Sequence, residues 1–431
     1  MRRLQAWIAG VALAISATAS AADSPVALAT RLLDQLDAGQ YAAAEATFSP
    51  QMKAAVPAEK LKTVWESLPA QLGAAGRRGE ATTSEADGFR IVVIPLEYAA
   101  ASVLARVVLD KDDRIAGFLV QPAPPPPPPA LTDAPFIEQG ITLPATASGK
   151  PGLPGTLVLP RTRAPFPAVV LVHGSGPQDR DESIGANRPF LDIARGLAAH
   201  GIATLRYDKR TRGRPQDFQG AFGIDDETTD DAVAAVAALA SNAASDRDRI
   251  YVLGHSQGGM LAGRIADNSQ GKVAGLILLA APARPILDLL GEQNRYLANL
   301  DGSISAAEQT HLDALDAAIA NVRRDHGAKL LELPGRYWQQ LEQVDPVADA
   351  RDSGLPVLLL HGGRDFQVID ADWQRWKQGL QGPRYRFHLY PALNHLGIAG
   401  EGPGTLDEYR KPGHVDATLI DDIARWVEAQ R

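Results

Sequence analysis

The chain has 431 residues, of which 45% are hydrophobic and 22% are charged. This composition is typical of a soluble globular protein with a sizeable core, and the length favours two domains. The formal net charge is −8 and cysteine is absent. The acidic balance argues against nucleic acid or an anionic membrane surface as a partner, and the lack of cysteine excludes disulfides, thiol catalysis and cysteine-based zinc sites.

Residues 1–22 have the pattern of a signal peptide. Arg2 and Arg3 form a basic start, and an apolar run extends from Trp7 to Ala14. Ala19-Ser20-Ala21 supplies the small residues of a cleavage site, and Ser20-Ala21-Ala22 supplies another one residue later. The apolar run is shorter than the roughly 20 residues that a membrane-spanning helix requires. We therefore expect export to the periplasm or the extracellular space, with no stable membrane insertion after cleavage.

Residues 23–121 predict a small α+β domain. Leucines recur at helical spacing from Leu28 to Leu36, and a second helical stretch covers 58–72. Later segments rich in apolar and β-branched residues predict strands at 89–98, 103–109 and 114–120. This order of helices and then an antiparallel sheet indicates an α+β domain. The segment resembles the small domain of unknown function that precedes some bacterial hydrolases.

Residues 122–130 predict a linker between two domains. They include six consecutive prolines, 124–129, which cannot form a helix or the interior of a sheet and adopt an extended polyproline II conformation. A docking motif for a polyproline-binding partner is the alternative. The linker interpretation already accounts for the composition.

From residue 131 to residue 431, strand and helix patterns alternate. Segments rich in apolar residues predict strands at 155–159, 168–173, 203–207, 249–254, 274–280, 356–361 and 385–390, of which 168–173 and 356–361 are predicted to be buried. Helical patterns lie between several of these strands, at 190–200, 229–241 and 260–268. The alternation predicts an α/β fold with a mostly parallel sheet that is covered by helices on both faces.

The interval 281–350 interrupts this alternation because it has no strand pattern. Ser305 and Glu308 form a capping box that predicts the start of a helix. One face of that helix is marked by apolar residues at Leu312, Leu315, Ile319 and Val322. We expect a helical insertion between two strands, which is a candidate cap over the site.

The segment Gly254-His-Ser256-Gln-Gly258 follows a predicted strand and precedes a predicted helix. This is the G-x-S-x-G pattern of a nucleophile elbow, in which a sharp strand-to-helix turn exposes the serine. A turn whose serine merely caps the helix is the alternative, but it leaves the other motifs unexplained. We therefore predict Ser256 as a nucleophile.

A serine hydroxyl needs a general base, and the base needs an acid to orient it. In folds with this elbow, the chain order is serine, acid, histidine. Asp365 lies in the loop after the predicted strand 356–361 and is the predicted acid. Asp370 and Asp372 are weaker alternatives because they lie beyond that turn.

The predicted base is His395, which lies just after the last predicted strand. His414 is the competing histidine, although its position before the terminal helix favours a helix-flanking role. Three further histidines flank strand ends and are predicted to be structural: His173, His255 and His361.

An oxyanion hole requires two backbone N–H groups. One is expected from Gln257, directly after the nucleophile. The other is expected from the loop that follows strand 168–173, where Ser175 is the first choice and Gly176 the second. Glycines in this loop permit a close approach of the backbone to the substrate carbonyl.

These motifs carry a family resemblance. The block 173–182, the elbow, the segment 361–365 and the pair Asn394-His395 resemble the α/β-hydrolase superfamily over residues 131–431. The most similar branch comprises bacterial esterases related to dienelactone hydrolases and to the serine aminopeptidase-like group. The resemblance implies Ser256, Asp365 and His395 as a triad that hydrolyses small acyl esters without a cofactor. Dienelactone hydrolases use a cysteine nucleophile where this chain has serine, so lactone chemistry is not implied.

Two charged stretches have alternative interpretations. The acids in 179–182 suggest a metal site, but without histidine partners we interpret them as a solvated loop and predict no metal. The stretch 208–212 is interpreted as a loop of ion pairs, with attraction of an anionic substrate group as the alternative. In the insertion, Tyr337 and Trp338 are candidates to line a substrate pocket, although core packing is the more frequent fate of such residues.

The sequence thus predicts a serine carboxylesterase that acts on a small-molecule ester by two-step acyl transfer. A serine peptidase, an aminopeptidase or a thioesterase is the alternative, because the same triad serves amides and thioesters. A non-catalytic ligand-binding protein is a further alternative from a different class. Monomer and homo-oligomer both stay open, and residues 23–121 are a candidate oligomerisation or surface-binding module.

Overall fold

The computed structural model describes residues 24–86, 88–99, 102–123, 131, 133–218, 220 and 222–430. The chain divides into two compact units, residues 1–126 and 127–431. The predicted signal peptide and most of the predicted linker lie outside the described residues, so both stay predictions. Within the described part of the chain, no helix combines the length and apolar character needed to cross a membrane.

In its described residues, the smaller unit has four helices followed by a five-stranded antiparallel sheet. Its elements are α1 (Pro25–Asp37), α2 (Tyr41–Ala46), α3 (Pro50–Ala55), α4 (Ala58–Leu72), β1 (Ala75–Arg78), β2 (Thr82–Ala86), β3 (Phe89–Tyr98), β4 (Ser102–Leu109) and β5 (Ile115–Pro122). The sheet order is β1-β3-β4-β5, and β2 also pairs with β3. The α+β prediction is confirmed.

The first helix illustrates why this unit forms. Ser24 accepts a hydrogen bond from the Ala27 amide and so caps the helix N-terminus. Leu32, Leu33 and Leu36 recur at helical spacing and are each at most 1% exposed. These leucines pack with the inward-facing residues of β3 and β4 into one core.

The larger unit alternates strands and helices. Its strands are β6 (Phe136–Thr142), β7 (Pro154–Pro160), β8 (Phe166–Val172), β9 (Ala203–Tyr207), β10 (Ser245–His255), β11 (Gly275–Leu279), β12 (Lys329–Leu330), β13 (Leu333–Pro334), β14 (Val357–Gly362) and β15 (Tyr385–Tyr390). Its helices are α5 (Pro189–Ala199), α6 (Arg210–Gly213), α7 (Asp230–Ser241), α8 (Gln257–Met260), α9 (Ala262–Asn268), α10 (Ile286–Ala298), α11 (Ala306–Val322), α12 (Gly335–Glu342), α13 (Pro346–Asp352), α14 (Asp370–Gly379) and α15 (Ala417–Ala429). A π-helical turn, Asp225–Thr229, precedes α7.

Eight of these strands form one sheet in the order β15-β14-β11-β10-β8-β9-β7-β6. Among them β7 runs opposite to the rest. The chain leaves β8 toward β9 on one side and later returns to place β10 on the other side. Ligands of such sheets bind at the carboxyl ends of the strands where the connections diverge. The loops after β8 and β10 are therefore the expected position of a site.

The strands alternate between two cores because successive side chains point to opposite faces of the sheet. In β8, Val170 and Val172 belong to the core beneath α7 and α9. Val169 and Leu171 belong to the core beneath α5 and α15. All four are fully buried. The predicted mostly parallel sheet with helices on both faces is confirmed.

The insertion at 281–350 is mainly helical, but the expectation that it contains no strand is wrong. Ser305 and Glu308 form the predicted capping box of α11. Beyond α11, β12 and β13 form a short antiparallel hairpin. Each strand has two residues, which is too short to produce a recognisable alternation in the sequence.

Candidate active site

Ser256 occupies a strained turn between β10 and α8. Its backbone has φ 51° and ψ −120°, a conformation that costs a non-glycine residue about 1–3 kcal/mol. Such a residue persists only where the surrounding structure holds it in place. The G-x-S-x-G pattern therefore forms the sharp strand-to-helix turn that it predicts.

The two glycines of the elbow are required by close packing. A Cβ at Gly254 would lie 2.3 Å from the carbonyl carbon of Gly258. A Cβ at Gly258 would lie 2.3 Å from the carbonyl oxygen of Val172 at the end of β8. Because these neighbours are backbone atoms, a side chain at either position would force the loops apart.

Asp365 and His395 form a buried pair at the ends of β14 and β15. His395 Nδ1 lies 2.7 Å from Asp365 Oδ2, and the two residues are 4% and 7% exposed respectively. Because Asp365 accepts the Nδ1 proton, the lone pair of the neutral imidazole is on Nε2. This is the tautomer that a general base requires.

The carboxylate of Asp365 is held in its ionised form. Burial alone would raise the pKa of Asp365, but the charge of His395 and its hydrogen bond outweigh burial. The other oxygen, Oδ1, accepts hydrogen bonds from the amides of Gln367 at 2.8 Å and Val368 at 3.0 Å. The pKa of Asp365 therefore lies below its ordinary value.

The loop of His395 is joined to the elbow through His255, the residue before Ser256. His255 Nε2 lies 2.9 Å from the His395 carbonyl oxygen, and the two imidazole centroids are 4.7 Å apart. The structure thus brings the three predicted triad residues to one edge of the sheet.

Two backbone N–H groups beside Ser256 are candidate donors of an oxyanion hole. Among the described residues, the amides of Ser175 and Gln257 have no hydrogen-bond acceptor. Both residues line the same cavity as Ser256. The neighbouring Gly174 is so close that its Cβ would lie 3.1 Å from Cβ of Ser256. The two predicted donors therefore flank Ser256.

A cavity of about 410 Å³ opens beside Ser256, within the ~300–1,000 Å³ range of small-molecule sites. Most of its lining is apolar, and half of the lining residues come from the insertion. The lining residues outside the elbow include Gly176, Ile286, Leu289, Leu290, Leu331, Leu333, Tyr337 and Trp338. Gly176, Tyr337 and Trp338 thus lie where the sequence predicted them.

One end of the cavity is polar. Gln257 Nε2 donates to Glu227 Oε2 at 3.0 Å and lies 2.9 Å from the Tyr337 hydroxyl. Glu227 is the one charged residue among the described residues that line the cavity, and it forms an ion pair with buried Lys209. The cavity therefore presents polar atoms without an unbalanced charge.

The competing residues have other contacts. Asp372 accepts hydrogen bonds from the amides of Ala283 and Arg284 and is fully buried, whereas Asp370 begins α14. His414 contacts Asp192 at 3.1 Å with an exposed side chain. None of these contacts involves Ser256 or His395.

Two of the histidines predicted to be structural pack against aromatic rings. His361 stacks on Trp373. His173 lies between Phe190 and Tyr207, and burial lowers the pKa of His173 to about 4.

The family described as "Serine aminopeptidase, S33" matches residues 163–401, which is more than half of the chain. The chain belongs to this family. It is therefore an enzyme of the hydrolase class, and the resemblance to the serine aminopeptidase-like branch of the α/β hydrolases is confirmed. Residues 29–118 match a family of proteins of unknown function, DUF3887.

Several characterised proteins are similar to this S33 hydrolase. Esterase EstD of Thermotoga maritima is 37% identical over 384 residues, which are 88% of this chain and 89% of the relative. Est1E from Butyrivibrio proteoclasticus is 17% identical with a TM-score of 0.45, over 68% of this chain and 98% of that one. An esterase from Pyrococcus furiosus is 16% identical with a TM-score of 0.45, over 70% and 96%.

Four charged residues around the S33 site were not among the predicted site residues: Glu182, Lys209, Glu227 and His255. The expectation of a solvated loop at 179–182 is wrong, because Glu182 is 1% exposed and contacts His255. The ion-pair interpretation of 208–212 is confirmed, since Lys209 pairs with Glu227. His255 was predicted to be only structural. The available signal was position: Glu182 and Lys209 lie in the loops directly after β8 and β9, at the carboxyl edge of the sheet.

Proposed function

We propose that this S33 hydrolase is a serine carboxylesterase that cleaves small, uncharged acyl esters through an acyl-enzyme intermediate. The proposal rests on the buried Asp365–His395 pair at the edge of the sheet where strained Ser256 faces an apolar cavity. A base of the required tautomer, a nucleophile and two unpaired amides are the parts that acyl transfer needs.

The proposed reaction has two steps. His395 Nε2 removes the proton of Ser256, whose oxygen attacks the ester carbonyl to form a tetrahedral intermediate. The amides of Ser175 and Gln257 donate hydrogen bonds to its oxyanion, and Asp365 stabilises the imidazolium. His395 then protonates the leaving alcohol, and water releases the acid by the same route.

The charge of the cavity supports an uncharged acyl group. An aminopeptidase must bind an α-ammonium group, which calls for a carboxylate that is free to pair with it. Glu227 is the lining carboxylate, and Lys209 and Gln257 already occupy its oxygens. This pairing favours an ester over an aminoacyl amide. A thioester stays the alternative substrate, because the charge of the cavity does not distinguish it from an ester.

The first test is hydrolysis of p-nitrophenyl esters from acetate to palmitate by the wild type and by Ser256→Ala. We expect cleavage of the short esters and a loss of about 10³-fold or more in kcat for the variant. Ser241→Ala is the matched control, because Ser241 is an exposed serine at the end of α7. It should leave kcat unchanged.

A fluorophosphonate probe gives an independent measurement. It should label the wild type and the control but not Ser256→Ala. Labelling of Ser256 without ester cleavage would reject the ester substrate and lead to thioesters and aminoacyl p-nitroanilides. Full activity of Ser256→Ala would reject the serine mechanism itself.

We further propose that the enzyme is exported, on the basis of the signal-peptide pattern in residues 1–22. Cell fractionation followed by N-terminal sequencing of the mature protein tests this. The expected mature chain begins at residue 22 or 23, and a cytoplasmic chain that retains Met1 would contradict the proposal.

A further inference from the structure

Both backbone groups of Gly174, its own N–H and the C=O that belongs to the Gly174–Ser175 peptide, are held by buried charged side chains. The Gly174 amide donates to Glu182 Oε1 at 2.6 Å. Lys209 Nζ donates to the Gly174 carbonyl oxygen at 2.7 Å. Glu182 and Lys209 are 1% and 2% exposed. Buried backbone groups need partners, but neutral partners would satisfy them at a lower desolvation cost than ions.

Each of the two charges also connects this peptide to a neighbour of the nucleophile. Glu182 Oε2 lies 3.0 Å from Nδ1 of His255, which precedes Ser256. Lys209 forms an ion pair with Glu227, which accepts a hydrogen bond from the side chain of Gln257, directly after Ser256. We name the four residues Glu182, His255, Lys209 and Glu227 the charged clamp.

The surroundings of the pair Glu182–His255 favour its ionised form. Nδ1 of His255 faces a carboxylate and Nε2 faces the His395 carbonyl, so an acceptor is available for a proton on each ring nitrogen. Burial alone would lower the pKa of His255, but the charge of Glu182 outweighs it and raises that pKa. The clamp thus holds two ion pairs, one on each side of the elbow.

The position of Lys209 has a chemical consequence. Its ammonium group donates to the carbonyl of the same amide whose N–H belongs to Ser175. A cation on an amide oxygen draws electron density from the nitrogen, so the N–H becomes a stronger donor. The Ser175 N–H is one of the two amides assigned above to the oxyanion.

We propose that Lys209 is a positioning residue that strengthens the oxyanion hole through the Gly174–Ser175 amide, with Glu182 fixing the other end of the same loop. The proposal rests on the function proposed above, since it assigns the Ser175 N–H to the oxyanion. Removing a whole oxyanion-hole donor costs about 10²–10³-fold in kcat. Weakening one donor without removing it should therefore cost about 10-fold or somewhat more.

The test replaces the ion pair by a neutral pair of similar shape, Lys209→Met with Glu227→Gln. Changing Lys209 alone would leave a buried unpaired carboxylate and would destabilise the fold for an unrelated reason. We expect the double variant to lose about 10-fold to 100-fold in kcat for p-nitrophenyl acetate. Its KM should change by less than about threefold. Its affinity for an alkyl boronic acid, which forms a tetrahedral adduct with the serine, should fall by the same factor as kcat.

The matched control is Arg210→Met with Asp231→Asn. Arg210 is the next residue in the chain, and this pair is equally buried, at 0% and 2% exposed. It does not contact the Gly174–Ser175 peptide. The control should lower the melting temperature to a similar degree while leaving kcat and boronate affinity at wild-type values.

Three outcomes would overturn the proposal while leaving the esterase function intact. The first is a folded double variant with wild-type kcat. The second is a loss of activity that appears only as a change in KM, with unchanged boronate affinity. If the variant does not fold, the pair Lys209→Gln with Glu227→Gln is tested in its place. Glutamine at position 209 retains a neutral donor, so this variant should lose about threefold to 10-fold in kcat. Failure of both pairs to fold would be the third outcome and would make Lys209 purely structural. An inactive wild type would instead reject the esterase function.

Discussion

Leu331 lies in a turn conformation that disfavours leucine. The hairpin pairs Leu330 with Leu333, so Leu331 and Glu332 form its two-residue loop, with φ values of 50° and 61°. Two positive φ values define a type I′ turn, which prefers asparagine and glycine. Leu331 nevertheless lines the cavity while 64% exposed. We predict that Leu331 contacts the acyl chain of longer esters.

The substitution Leu331→Asn separates stability from function. Asparagine tolerates the left-handed conformation, so relief of strain should stabilise the fold by about 1 kcal/mol and raise the Tm by about 2 °C. Burying a whole leucine side chain contributes about 1.5–3 kcal/mol. Because 64% of Leu331 is open to a substrate, the loss should be at most about 1–2 kcal/mol, or about 5-fold to 30-fold in kcat/KM.

The assay is kcat/KM for p-nitrophenyl acetate, butyrate and octanoate, together with the Tm of each variant. Glu332→Asn is the matched control, because Glu332 is in the same turn with a positive φ but does not line the cavity. Only Leu331→Asn should lower kcat/KM, and only for the longer esters. An equal loss for all esters, or a lower Tm for Leu331→Asn, would refute the reasoning.

Three further predictions concern the triad, the elbow and the charged clamp. Asp365→Asn should lower kcat by about 10⁴-fold, because the amide no longer fixes the Nδ1–H tautomer of His395. Steady-state kinetics at saturating ester concentration measure this loss. A loss below about 10-fold would contradict the triad. Gly258→Ala should abolish folding or lower the Tm severely, since the new Cβ would lie 2.3 Å from a backbone oxygen. The control Gly140→Ala has open space around the new Cβ and should fold normally in the same thermal scan. Because the pKa of His255 is raised, its pair with Glu182 stabilises the fold fully below about pH 6.5, the ordinary pKa of histidine. This contribution is lost as the pH rises through the raised pKa of His255. The lowered pKa of Glu182 means that its contribution is present above its ordinary value and is lost as pH falls through the lowered one. Urea unfolding of wild type and His255→Gln across this range should show a difference in unfolding free energy that shrinks at both ends, and a difference independent of pH would contradict the ionised pair.

The parts of the site that the sequence predicted are those with a local signature. Ser256 lies in a pattern whose glycines have a steric reason, and Asp365 and His395 each follow a predicted strand, β14 and β15 respectively. Parallel strands bring their carboxyl ends to one edge of a sheet, so residues that follow them meet regardless of their separation in the chain. Assigning three loops to three strands was therefore enough to propose a triad.

The charged clamp had no such signature. Glu182 and Lys209 belong to stretches of charged residues that are usually exposed in proteins. Their burial depends on His255 and Glu227, which are 73 and 18 residues away respectively in the chain. A charge becomes acceptable inside a protein only when a partner is placed within contact distance. Glu182 and His255 are too far apart in the chain for a local sequence pattern to show that they form a pair.

The hairpin of the insertion was also decided by tertiary structure. Its strands have two residues each, and Leu331 adopts a turn conformation that its own preference opposes. Packing of Leu330 and Trp338 in the core of the larger unit outweighs that preference.

By itself, the sequence determined the α/β architecture, the elbow and the three loops that carry the predicted triad, because hydrophobic period and glycine positions act over a few residues. Tertiary structure alone decided which charges are buried, which amides stay unpaired beside Ser256 and how the insertion encloses the cavity. These features depend on contacts between residues far apart in the chain, whose energies are set by distance and desolvation as well as by residue type.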